Sequence, residues 1–169
     1  MLRSRPQLIM SMEIKINFNI LRSLILGHIA TSLWFIPKLA LLLHSLRGVK
    51  FKKIETVFLG RDVIIDNRYP SLIEIGEDVW ITSNCIILAH SYFSKVQNQK
   101  YGTQEKVGQV KIGDGAFIGV GSIVCPGVSI GIGSYIAAGS VVTKNTNNFC
   151  LYAGNPAKFI KELSNEENN

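Results

Sequence analysis

Ile112, Ile118, Val124, Ile130, Ile136 and Val142 fall six residues apart without a slip, and Gly113, Gly119, Gly131 and Gly133 stand beside them. A six-residue period in β-branched aliphatics is the signature of a repeating β coil. It predicts a coil in which each unit lays one short strand along a flat face and turns a corner, so that three units, about eighteen residues, close a triangle. Stacked coils then lie roughly 4.8 Å apart, and the inward aliphatics form ladders of like on like. The residues two places earlier, Val110, Ala116, Ser122, Val128, Ser134 and Ser140, are all compact, as a crowded corner requires.

The register extends upstream through Ile75, Ile81 and Ile87, and more loosely through Leu59 and Ile65. Two stretches interrupt it. Arg68 to Glu74 overruns one turn, with Pro70 and Ser71 as loop, and Ser91 to Gln109 contains no repeat at all. The second stretch is polar, with Lys95, Gln97, Asn98, Gln99, Lys100, Gln104 and Lys106, and with Gly102 as a turn residue. A loop longer than about 15 residues inside a compact array is more often functional than accidental. The expected organisation is a helical, basic segment over 1–53, a β-helix over 54–161 with an excursion loop at 91–109, and a polar, flexible tail at 162–169.

Composition narrows the function classes. An apolar share of 47% supports a packed core in one domain. The net charge of +6 is concentrated in residues 1–61, which hold ten Lys or Arg against Glu13 and Glu55. These cations alternate with long aliphatic runs and form no nucleic-acid module, so no nucleic-acid partner is expected. Between Arg22 and Lys38 lie fifteen uncharged residues, too few to cross a bilayer, and Pro37 breaks the helix there. Leu21, Ile25, Ile29, Leu33 and Ile36, then Leu39, Leu42, Leu43 and Leu46, recur at helical spacing. Two amphipathic helices capping the open end of the coil are the first expectation. A peripheral membrane contact through residues 20–53, with Arg22, Lys38, Arg47, Lys50, Lys52 and Lys53 nearby, is the alternative. No clean signal peptide follows Arg3 and Arg5, and three cysteines without metal-ligand spacing suit a reducing compartment, so the cytoplasm, or the inner face of its membrane, is expected. Cys85 and Cys125 stand beside inward positions and are expected to be core residues rather than nucleophiles.

Of the histidines His28, His44 and His90, the first two lie in the apolar helical segment, where packing explains them. His90 stands three residues after the inward Ile87, at the mouth of the polar excursion. A neutral imidazole there suits a general base acting on a hydroxyl near pH 7. A zinc enzyme on such a coil would need three histidines as ligands, and only His90 lies there, so no metal is expected.

The strings Ile75-Gly-Glu-Asp-Val-Trp-Ile81, Ile86-Ile-Leu-Ala-His90, Ile112-Gly-Asp-Gly-Ala-Phe-Ile-Gly119 and Ala153-Gly-Asn-Pro-Ala-Lys158 together resemble the hexapeptide-repeat sugar O-acetyltransferases of the galactoside and maltose acetyltransferase type. The resemblance covers roughly residues 57 to 161 and implies a mostly β fold, a left-handed parallel β-helix. It implies acetyl-CoA as co-substrate, a homotrimer with the cofactor in grooves between subunits, and a sugar or cell-surface polysaccharide precursor as acceptor. His90 would deprotonate the acceptor hydroxyl for direct attack on the thioester, without an acyl-enzyme. Val120, where the family often has serine, would give its backbone N–H to the oxyanion. Gly119, Ala137 and Ala138 would line the pantetheine arm, and Thr143, Lys144, Lys158 and Lys161 the nucleotide and phosphates. Asp66, Asn84 and Trp80 would meet the acceptor. Phe117 stands where the family often has tryptophan. A noncatalytic scaffold, or transfer to a non-sugar or amine acceptor, are the alternatives.

Overall fold

A computed structural model describes residues 18–33, 35–102 and 105–163. The basic residues before Phe18, Gln104, and the tail after Leu163 therefore lie outside the described residues. Two helices come first, α1 (Phe18–Ser32) and α2 (Pro37–Leu46), with Pro37 at the first turn of α2, where its missing N–H costs nothing. The chain then winds in coils. The first contains β1 (Lys50–Phe51), β2 (Phe58–Leu59) and β3 (Ile64–Ile65), and the second β4 (Ile73–Ile75), β5 (Trp80–Ile81) and β6 (Ile86–Ile87). The excursion follows as β7 (His90–Tyr92), α3 (Lys95–Tyr101) and β8 (Glu105–Val107). Coil three is β9 (Val110–Ile112), β10 (Phe117–Ile118) and β11 (Ile123–Val124), and coil four is β12 (Ser129–Ile130), β13 (Tyr135–Ile136) and β14 (Val141–Val142). An antiparallel pair, β15 (Cys150–Ala153) and β16 (Lys158–Glu162), closes the far end.

Every third strand stacks in parallel, giving three faces. Face A is β1-β4-β9-β12, face B is β2-β5-β10-β13 continued by β15 and β16, and face C is β3-β6-β11-β14. The six aliphatics of the period and their five upstream partners are all buried. Ile65, Ile87, Val124 and Val142 form one ladder, and Leu59, Ile81, Ile118 and Ile136 another. The compact residues two places earlier are buried as well, and the serines among them bridge coils. Ser122 Oγ donates to Ala137 O at 3.0 Å, and Ser134 Oγ to Cys150 O at 3.1 Å. Outside, the faces differ in chemistry. Face A presents Lys50, Glu74, Lys111 and Ser129, face B the aromatic column Phe58, Trp80, Phe117 and Tyr135, and face C the aliphatic column Ile64, Ile86, Ile123 and Val141.

The helices pack on the first coil, and Leu41 of α2 joins the coil's core. Their orientation corrects the expected amphipathic pattern. In α1 the buried residues are Ser23, Gly27 and Ala30, whereas Leu21, Ile25 and Ile29 are exposed. Close approach decides this: a Cβ on Gly27 would collide with Asn67 Oδ1 and Arg47 Nη1. On α1 only the stripe of small residues packs inward, so its large aliphatics point away from the coil.

His44 and Arg47 explain how α2 is fixed. Both are buried, and Arg47 Nε donates to His44 Nδ1 at 2.9 Å. Burial, reinforced by the Arg47 charge, pushes the His44 pKa down to about 3 from its ordinary 6.5, so His44 is neutral in the folded protein. Below pH 6.5 the unfolded chain gains a proton at this site that the folded chain refuses, and stability falls until the pH reaches the folded value. We expect unfolding free energy to drop by roughly 2 kcal/mol between pH 7 and pH 5 from this residue alone. Urea titrations of wild type and His44→Gln at the two pH values check it. Equal slopes would remove His44 as the cause.

Candidate active site

The site is built at the edge between faces C and A, where the chain leaves β3 and β6. Directly after the inward Ile65 comes Asp66, and three residues after the inward Ile87 comes His90. Stacking of the two coils brings them together although they are 24 residues apart. Asp66 Oδ2 lies 2.5 Å from His90 Nδ1 and also accepts from the backbone N–H groups of Ala89 at 2.8 Å and His90 at 3.1 Å. Its Oδ1 accepts from the N–H groups of Arg68 at 2.8 Å and Tyr69 at 2.9 Å. Five donors thus converge on one carboxylate whose side chain is 0% exposed. Burial works to raise the Asp66 pKa. The N–H groups of Tyr69 and Ala89, the His90 ring and the N–H of Arg68 outweigh it and hold the carboxyl below its usual range.

An ionised carboxylate at Nδ1 requires that nitrogen to carry the proton. Nε2 is then the basic nitrogen, and it has no partner among the described residues. The ring makes edge contacts with two aromatic rings, Tyr69 at 5.6 Å and Tyr92 at 5.0 Å between centroids. Tyr69 is itself tied down, since its hydroxyl donates to Glu105 Oε2 at 2.8 Å and Glu105 pairs with Arg68 at 3.3 Å. The imidazole is therefore fixed at one nitrogen, packed against two aromatic rings and open at the other nitrogen, as a preorganised base requires.

The excursion that frames His90 is more ordered than a loop. Here β7 and β8 pair antiparallel, with His90 opposite Val107 and Tyr92 opposite Glu105. Between them α3 starts at a capping box, Ser94 with Gln97, and ends at Gly102, whose φ of 71° is the left-handed conformation glycine adopts freely. Gly108 N–H then donates to Ala89 O and returns the chain to the coil beside His90.

Behind the pair stands Arg47. Its guanidinium donates to Ile65 O at 2.6 Å, Asp66 O at 3.0 Å and Asn67 Oδ1 at 2.7 Å, which fixes the backbone that carries Asp66. The helical hairpin is thereby bolted to the same turn that orients His90.

These contacts correct one assignment and divide the others. Asp66 cannot meet an acceptor: its carboxylate is buried and fully engaged, and it is a positioning residue for His90. Gly119 and Ala137 are largely spent on the coil's own hydrogen bonds. Gly119 N–H donates to Ile136 O, Ala137 N–H donates to Tyr152 O, and Ala137 O accepts from Ser122 and Ser140, so the Ala137 backbone has no N–H to offer a pantetheine arm. Val120 and Ala138 differ, because both are exposed and neither N–H has an acceptor among the described residues.

Val120, Ala138 and Asn84 all lie on the edge between faces B and C, across face C from His90. Asn84 adopts the left-handed conformation at φ 61° and donates its N–H to Arg61 O as a corner residue. Trp80 stands on face B, 5.0 Å from the Phe58 ring. Thr143 and Lys144 share the His90 edge two coils further on, whereas Lys158 and Lys161 are exposed on β16. Tyr69, Tyr92, Glu105 and Arg47 complete the site; the sequence named only Arg47 among them, as a cation of the amino-terminal segment, and the signal for the other three was their position within the two interruptions of the repeat.

Residues 109–144 match the family model described as the hexapeptide repeat of succinyl-transferase. Protein CapG of Staphylococcus aureus is 42% identical over 106 residues, which cover 63% of this chain and 62% of that protein, so the match spans less than two thirds of the relative's length. In fold, the chain is similar to a maltose O-acetyltransferase from Clostridium difficile, at 22% identity and TM-score 0.58 over 88% of this chain and 90% of that one. It is also similar to a galactoside acetyltransferase solved in complex with coenzyme A, at 18% identity and TM-score 0.60 over 90% and 86%. By its repeat and by its fold, this chain is similar to the maltose and galactoside acetyltransferases of solved structure.

Proposed function

We propose that this protein is an acetyl-CoA-dependent O-acetyltransferase acting on a hydroxyl of a sugar or polysaccharide precursor. The observation that carries the reading is the His90–Asp66 pair, with Nδ1 held by a buried carboxylate and Nε2 open at the base of a structured excursion. His90 Nε2 takes the proton of the acceptor hydroxyl as its oxygen attacks the thioester carbonyl. The tetrahedral intermediate collapses by expelling the CoA sulfur, which recovers the proton from His90. Asp66 keeps the correct nitrogen basic and stabilises the transient imidazolium. The CoA bound to the galactoside acetyltransferase of similar fold supports this donor.

The developing oxyanion needs a fixed donor. The open N–H of Val120 is suited to that task, but it stands on the other edge of face C. A ring of three copies with face C toward the axis resolves the separation, because the C/A edge of each copy then meets the B/C edge of the next. His90 of one copy would face Val120 and Ala138 of its neighbour, and Thr143 and Lys144 of one copy would approach Lys158 of the next. Ile64, Ile86, Ile123 and Val141, which form a column on face C, supply the apolar surface for such an axis.

A thiol-release assay with acetyl-CoA and a panel of sugars, run beside analytical ultracentrifugation, tests both halves. Sugar-dependent CoA release by a trimer is expected. An active monomer would overturn the shared site, and release that no hydroxyl acceptor stimulates would overturn the reaction.

A further inference from the structure

We propose that the helical hairpin α1–α2 is an interfacial anchor that lays the first-coil end of the protein on an anionic lipid surface. The hairpin is inside out for a soluble cap. Ser23, Gly27 and Ala30 of α1 are buried, whereas Leu21, Ile25 and Ile29 of α1 and Leu39, Leu42 and Leu46 of α2 are each between 37% and 52% exposed. On each helix these aliphatics lie opposite the residues that pack on the first coil, so the coil cannot cover them. Scattered exposed leucines are ordinary, but six on the outer faces of two adjacent helices mark a surface that meets something apolar.

Charge selects the partner. Residues 18 to 46 contain no Asp or Glu, and their two formal charges, Arg22 and Lys38, are positive. Across residues 1–61 the balance is ten cations to two acids. Lys38 is exposed beside the apolar face and has no partner among the described residues. Lys50, Lys52 and Arg61 of the first coil are ion-paired with Glu74, with Glu77 and Asp114, and with Asp62, so the charge that bears on the apolar face is that of Arg22 and Lys38, on helices without an acid. An apolar face edged by such cations is the pattern of a helix that lies in an anionic headgroup layer. At 15 and 10 residues the described helices are about 22 and 15 Å long against a ~30 Å hydrocarbon core, and none among the described residues is long and apolar enough to cross a membrane. This anchor is independent of the acetyl-transfer chemistry and stands or falls without it.

The test is co-sedimentation of the full chain with phosphatidylcholine vesicles containing roughly one-third phosphatidylglycerol, against phosphatidylcholine alone. We expect binding to the anionic vesicles about tenfold or more tighter than to the neutral ones, weakening as salt rises. The double variant Ile25→Glu, Leu42→Glu should lose about tenfold or more of that binding. Lys38→Glu, a surface change that leaves the apolar face intact, should weaken binding to the anionic vesicles alone, and it keeps the test valid should the double variant not fold. Absence of vesicle binding, equal binding to both compositions, or a double variant that binds as wild type does would overturn the anchor. A double variant that lowers the oligomeric state without changing vesicle binding would overturn it too, and would assign the face to contacts between copies.

Discussion

Replacing His90 by glutamine should lower the turnover of the proposed acetyl transfer by about 10²-fold or more and leave acetyl-CoA binding nearly unchanged. Glutamine keeps a hydrogen-bonding group near the position of the ring but cannot take a proton from an alcohol at neutral pH. The base is used only as the transition state forms, so the loss falls on kcat rather than on the dissociation constant of the donor. His90 Nδ1 supplies one of the five donors to Asp66, and four backbone N–H groups remain on the carboxylate, so the fold survives the change. Steady-state kinetics and calorimetric titration with acetyl-CoA separate the two quantities. Turnover within a factor of a few of wild type would remove His90 from the chemistry.

The second large effect is at Asp66. Asparagine is nearly isosteric, but one of its two terminal atoms becomes an NH₂ donor facing N–H groups that have only that carboxylate as acceptor. Either the Arg68 and Tyr69 side or the Ala89 and His90 side must lose its bonds. We expect Asp66→Asn to cost about 2–3 kcal/mol of stability, because buried donors are left unpaired. We also expect about 10²-fold in kcat with a smaller change in KM, because Nδ1 is no longer required to hold the proton. A merely structural role would predict the first effect without the second. Nitrogen-15 NMR of the His90 ring distinguishes them: the Nδ1–H tautomer should dominate in wild type and give way to Nε2–H in the variant. An unchanged tautomer with lost stability would return Asp66 to a purely structural part.

The β-helix was legible in the sequence because its period is local and its requirement simple. One β-branched residue every six positions must point inward, and all six from Ile112 to Val142 do. His90 was legible for a related reason, since it marks where the period stops. Asp66 was named in the sequence as an acceptor contact, but its pairing with His90 was not legible, because the two lie 24 residues apart and only the stacking of coils sets them side by side. Its burial follows from the two turns that fold their N–H groups onto it, a feature no residue type announces. The helix inside the excursion was hidden by its seven-residue length and polar composition, though Ser94 and Gln97 carry the spacing of a capping box. The helical hairpin misled for the opposite reason. Its aliphatic stripe had the correct period, but α1 packs through the small side chains of Ser23, Gly27 and Ala30 and α2 through Ala40, Leu41 and His44, so the stripe faces outward. The division of the site between two edges also escapes a one-dimensional reading, because His90 and Val120 seem close along the repeat and lie a full face apart around it.

The cysteines offer the competing route through an acyl-enzyme. Burial pushes the Cys85 and Cys125 thiols up, which leaves them poor nucleophiles at neutral pH. A single-turnover chemical quench with acetyl-labelled CoA and an acceptor sugar decides between the mechanisms. Label should pass from CoA to the sugar hydroxyl in wild type without appearing on the protein, and the transfer should collapse in His90→Gln. Label accumulating on the protein, or transfer at equal rates in the two proteins, would contradict direct attack assisted by His90.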